Sequence, residues 1–159
     1  MAKYRILSLE ELKELEKEFI NFLILNGIDA KQWEGIKAFD VSMADELIVT
    51  FSDFVFESIF KKATYIEQRS SKSLRIFKFN KQDMLEVGLS IPLESDGDFT
   101  KENWVKSALE NPPSYLKTYS RKMEYKGGRE KEMFALTCNG AVITDERLFD
   151  VLAEASQLH

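Results

Sequence analysis

The run from Asp40 to Lys62 constrains the fold more than any other stretch of this chain. Met43, Leu47, Phe51, Phe54, Val55 and Ser58 recur at helical spacing on one face, while Val49, Phe56 and Phe60 fall nearly opposite. Asp40 or Ser42 suits the start, and Lys61 and Lys62 stand where the last carbonyls of a helix collect negative charge. A helix apolar on two sides has to be covered on two sides, which predicts a central core element. Its only polar seam is Glu46, Thr50, Asp53 and Glu57.

Before that run, Ser8 and Glu11 have capping-box spacing ahead of a stripe of Leu12, Leu15, Phe19, Phe22 and Leu23. Asn26-Gly27 ends this first helix, and Asp29 caps a short second one through Trp33 and Ile36. Beyond Lys62 the period falls to two. Residues 63–69 and 74–80 read as strands around a Ser70–Ser73 turn. Leu85, Val87, Leu89, Ile91 and Leu93 alternate with Glu86, Gly88, Ser90 and Pro92, a half-buried strand that Pro92 places at an edge or at its own end. Thr100 is expected to cap a helix with Trp104, Val105 and Ala108, stopped at Asn111-Pro112-Pro113. Residues 114–124 are ambiguous, although Tyr115, Leu116, Tyr119 and Met123 fit a helical stripe ended by Gly127-Gly128. Asn139-Gly140 between Glu132–Cys138 and Ala141–Thr144 reads as the type I′ turn of a hairpin, after which Thr144 caps a closing helix. The expectation is one α+β domain over residues 1–159. In it a mostly antiparallel sheet of four to five strands packs against an N-terminal three-helix segment and a C-terminal helix.

Composition narrows the function classes. With 44% hydrophobic residues and twelve Phe the chain can build a core, which argues against disorder. The net charge of −5 argues against a broad pull towards nucleic acid or anionic membrane. No apolar run approaches the roughly 20 residues of a membrane span. The N-terminus leads straight into acidic sequence without a signal peptide, and the single Cys138 has no disulfide partner, so a cytoplasmic location is expected. Charge alternates along the chain: residues 1–60 carry −6, 61–81 carry +6, 82–114 carry −5, 115–131 carry +4 and 132–159 carry −4. The simplest use of that pattern is internal, with basic strands lying beside acidic helices.

Four residues stand out as ligand-binding candidates: Glu46, Asp53, Glu57 and Arg75. Asp53 and Glu57 are a like-charge i,i+4 pair that needs compensation, either from a divalent cation or from Arg69, Arg75 or Lys78 on the basic strands. Arg75, Phe77 and Phe79 share one strand face, as in domains that stack RNA bases, but the glycine-aromatic signature of such domains is missing. Cys138 reads as a buried structural thiol, because the one histidine, His159, is at the C-terminus. No Cys-x-x-Cys, Gly-x-Gly-x-x-Gly or P-loop run is present, so no cofactor, no metal and no catalytic residue is assigned.

Glu11-Leu12, Phe19-Ile20-Asn21-Phe22-Leu23, Asn26-Gly27-Ile28, Trp33-Glu34, Phe51-Ser52-Asp53, Phe56-Glu57, Tyr65-Ile66-Glu67, Phe134-Ala135-Leu136 and Gly140-Ala141-Val142-Ile143-Thr144 together carry a resemblance. On these residues the chain resembles a family of short uncharacterised proteins, a domain of unknown function, found mainly in Bacteroidetes-type bacteria. The resemblance implies a bacterial cytoplasmic protein and brings no activity with it. The expected function is a non-catalytic binding or interaction module with a protein partner, a second copy of the chain included. The alternatives are a metal-dependent hydrolase or small-ligand enzyme using Glu46, Asp53 and Glu57, and an RNA-associated protein using the basic strands.

Overall fold

The computed structural model describes residues 2–155, in which seven helices and five strands form an α+β fold. The chain divides into two compact units, residues 1–59 and 60–159.

The first unit is helical: α1 (Leu9–Glu14), α2 (Glu16–Leu25), α3 (Ala30–Phe39) and most of α4 (Val41–Lys62). The expected capping box of Ser8 with Glu11 is present, and Asp29 caps α3 as expected, in a capping box that Gln32 completes. The expected first helix is broken in two at Leu15, whose φ of −104° and ψ of 22° lie outside helical geometry. At the end of α2, Gly27 takes a φ of 77°, and the N–H groups of Gly27 and Ile28 donate to Ile24 and Leu23. That is a Schellman cap, closed by the buried pair Leu23 and Ile28. Phe51 of α4 is fully buried against Phe19 and Phe22, with ring centroids 5.0 and 5.3 Å away. The two-sided covering expected of α4 is partial, because Met43 and Phe54 are exposed.

The second unit is built on an antiparallel sheet ordered β4-β3-β2-β1-β5, with β1 Tyr65–Arg69, β2 Ser73–Phe79, β3 Asp83–Ser90, β4 Lys117–Glu124 and β5 Val142–Thr144. One face carries Leu74, Ile76, Val87 and Leu89 against Val105 of α5 (Glu102–Glu110) and against Phe149 and Leu152 of α7 (Glu146–Ala155). The opposite face carries Ile66, Phe77, Phe79 and Met84, with α6 (Arg129–Cys138) beside it. Arg129 donates to the carbonyls of Phe60, Ala63 and Phe79, so one guanidinium satisfies the end of α4 and the end of β2 together.

The structure departs from the sequence pattern at several places. Residues 117–124 form strand β4, in register with β3, and not a helix. They carry little apolar signal because β4 is an edge strand, where Lys117, Arg121 and Lys122 discourage pairing with another chain. Residues 129–138 are helical, and Asn139-Gly140 is their C-terminal cap: Asn139 has a φ of −101°, whereas a type I′ turn needs positive φ at both positions. β3 is an interior strand, so Pro92 marks its end and not an edge. Thr100 does not cap α5; its N–H and hydroxyl are both used by Asp98. Thr144 belongs to β5, and at the start of α7 the Arg147 N–H goes to Asp145.

Candidate functional site

The acidic seam is already occupied from within the chain. The backbone N–H of Lys3 lies 2.9 Å from both oxygens of Asp53, and that of Tyr4 lies 3.1 Å from one of them. Lys3 Nζ reaches Glu57 at 2.9 Å, and the Tyr4 hydroxyl donates to the same oxygen. Burial and the hydrogen bond to Glu57 push the Tyr4 phenol up to about 12, so it stays a donor across the physiological range. Within the described residues the partners of Asp53 and Glu57 come from the N-terminal segment, and not from Arg69, Arg75 or Lys78 of the basic strands. Leu7 continues the strap through its N–H to the buried Ser52 hydroxyl, which itself donates to the Ile48 carbonyl. Glu46 lines a surface groove with Ser42, Asp45 and Asp53, and among the described residues no three His, Cys, Asp or Glu side chains converge to hold a metal. His159 lies outside the described residues.

Arg75 is placed elsewhere, on β2 of the sheet unit. Its Nε donates to Glu86 at 2.9 Å and its guanidinium also reaches Gln68 at 3.0 Å. Glu86 on β3 was expected on a solvent face, yet its side chain has no exposed surface. Arg121 of β4 donates from Nε to its other oxygen at 2.8 Å, and the Tyr119 hydroxyl donates at 2.5 Å. Burial alone would raise the Glu86 carboxyl, but the hydrogen bonds from Arg75, Tyr119 and Arg121 outweigh it and hold the group below the usual carboxylate range. The register explains the grouping: Arg75, Gly88 and Tyr119 are cross-strand neighbours, as are Phe77, Glu86 and Arg121. Gly88 is what lets Tyr119 lie flat, since a Cβ there would meet the ring at 2.2 Å. That glycine inside an alternating strand is the one signal in the sequence that points to a close approach at this place. Phe77 and Phe79 are buried, so neither ring is presented for stacking on bases.

Beside the cluster, between β2, β3, β4 and α6, lies a cavity of about 240 Å³ lined by Arg75, Phe77, Met123, Arg121, Glu132 and Leu136 among others. One Glu132 carboxylate oxygen is buried without a hydrogen-bond partner. Cys138, expected to be buried, is an exposed free thiol at the end of α6.

The helical unit presents a different kind of surface. Ile20, Ile24 and Phe54 are 46%, 59% and 58% exposed, and Phe39 and Val41 are exposed as well. Ile20 and Ile24 line a groove of about 330 Å³ with Phe19, Leu23, Ile28 and Trp33, floored by the edge-to-face contact of Phe19 and Trp33 at 5.1 Å. The charged residues at this groove are Glu16, Asp29, Glu34 and Lys37, and Lys37 is paired with Glu34 at 3.0 Å.

Comparison with curated proteins and with solved structures finds no match to this chain. A family model does match, over residues 1–157, and the chain belongs to that family of unknown function, DUF6495.

Proposed function

We propose that this DUF6495 chain is a non-catalytic interaction module that seats an amphipathic helix with basic flanks, supplied by another protein, in the groove between α2 and α3. The observation that carries the reading is the apolar groove of Ile20, Ile24 and Trp33 under an acidic rim. Contiguous exposed apolar surface rimmed by charge is the usual mark of a partner site. Its charge selects the partner: with Glu34 neutralised by Lys37, Glu16 and Asp29 remain, in a segment whose first sixty residues carry −6. Two copies meeting through this groove would bring like charges together, which disfavours a homodimer here. The catalytic alternative is weakened because Asp53 and Glu57 are engaged by Lys3 and Tyr4. The exposed thiol of Cys138 fits a reducing, cytoplasmic setting.

The test is a fluorescence titration of the Trp104→Phe protein, whose signal then reports Trp33, with a Lys/Leu amphipathic peptide and its Glu/Leu counterpart. Binding of the Lys/Leu peptide alone, weakened at least tenfold by Ile24→Glu, supports the reading. Equal binding of both peptides or of neither overturns it, as does a light-scattering mass showing a dimer that Ile24→Glu dissociates.

A further inference from the structure

We propose that the cavity between the sheet and α6 binds a free amino acid with an apolar side chain, its carboxylate on Arg121 and its ammonium on Glu132. Hydrogen-bonding capacity is left unused in one small space. Arg121 spends only Nε on Glu86, and its two terminal nitrogens make no ion pair with any other described residue. Such a pair of parallel N–H donors matches the two oxygens of a carboxylate. Glu132 lines the same cavity and keeps a buried oxygen without a partner, an arrangement that costs free energy unless a donor is supplied. Arg121 and Glu132 form no ion pair with each other, so a cationic donor and an anionic acceptor line one cavity without cancelling. A ligand that completes both must carry a carboxylate and an ammonium. Arg75 and Glu86 cancel one another behind it and leave no further net charge to satisfy.

Size and lining narrow the ligand further. At about 240 Å³ the cavity falls below the roughly 300–1,000 Å³ of drug-sized sites, which suits a single small metabolite. Phe77, Met84, Met123 and Leu136 supply an apolar wall, and methionine side chains adapt to ligand shape. A side chain of leucine or methionine size is therefore selected over a charged one.

The experiment is calorimetric titration of the intact protein with L-leucine and L-methionine, and with N-acetyl-leucine and leucinamide, which remove one charge each. Binding of the free amino acids, with at least a tenfold loss for each derivative, is the expected result. Glu132→Gln is the decisive variant, because the Glu132 side chain makes no hydrogen bond to another described residue and its replacement leaves the sheet intact. It should weaken leucine at least tenfold while leaving N-acetyl-leucine unchanged. Arg121→Lys, which keeps the charge but loses the fork, should weaken leucine and leave leucinamide unchanged. No binding of leucine or methionine at millimolar concentration overturns the proposal, as does binding of N-acetyl-leucine or leucinamide as tight as that of leucine, or leucine binding unaffected by Glu132→Gln.

Discussion

At Glu86 two effects compete: a side chain with no exposed surface loses hydration, and three hydrogen-bond donors restore it. Removing the charge leaves two arginines facing a neutral amide. Breaking a buried pair costs about 3–5 kcal/mol, and the partial exposure of Arg75 and Arg121 reduces this, so Glu86→Gln should cost about 2–3 kcal/mol in a urea melt at pH 7. The sign of the pH dependence follows from the lowered carboxyl. Its stabilisation is complete above the 4.5 of an unfolded glutamate and is lost as pH falls through the lower folded value. The difference between the two proteins should therefore narrow below pH 4.5; a gap that persists undiminished at pH 2 would show that ionisation is not its source. Gly88→Ala places a methyl group in the Tyr119 ring and should cost about 1–3 kcal/mol by overpacking. That cost should largely vanish in a Tyr119→Ala background, which a double-mutant cycle measures directly. Of this cluster only Arg75 was legible beforehand. Glu86 read as a solvent-facing position because alternation along one strand cannot reveal that Tyr119 and Arg121 cover its other face.

At the scale of elements the dipeptide Asn-Gly occurs twice and does the same thing twice, ending α2 at Asn26-Gly27 and α6 at Asn139-Gly140. In both, the glycine N–H donates to a carbonyl three residues back and the next N–H reaches five back, from Ile28 to Leu23 and from Ala141 to Leu136. A helix cap and a hairpin turn share this dipeptide because both place its glycine at positive φ, so the flanking periodicity has to decide between them. After Gly27 the stripe was clear; before Gly140, Met133, Phe134 and Leu136 are too few to separate a helix from a strand. Gly140→Ala should cost about 1–2 kcal/mol, since φ is 89° there, whereas Gly127→Ala, with open space and no positive φ, should stay within about 0.5 kcal/mol. Equal thermal shifts in the two variants would contradict the cap assignment. β4 escaped detection for a related reason: an edge strand needs polar side chains for solubility, and pairing with β3 supplies what its composition lacks.

Over the whole molecule, opening free energies should follow sheet position. Amides of β2 and β3, interior strands that carry Leu74, Ile76 and Val87 at full burial, should exchange slowest with deuterium. Those of the three-residue edge strand β5 and of the outer side of β4 should exchange within the fast class. An order in which β4 outlasted β2 would contradict the core assignment. The charge blocks find internal use in part: Arg69 reaches Glu67 and Glu102, Arg75 reaches Glu86, and Lys72 binds the Ser95 and Gly97 carbonyls. What the sequence by itself determined was local: the Ser8–Glu11 capping box, the Asp29 cap, α4, the three strands that became β1, β2 and β3, and the α+β class, all set by contacts a few residues apart or by strong periodicity. Tertiary structure alone decided β4, the helical state of residues 129–138, the strap of Lys3 and Tyr4 on α4, and the burial of Glu86. Each of these depends on a partner distant in sequence, and no local pattern records the identity of that partner.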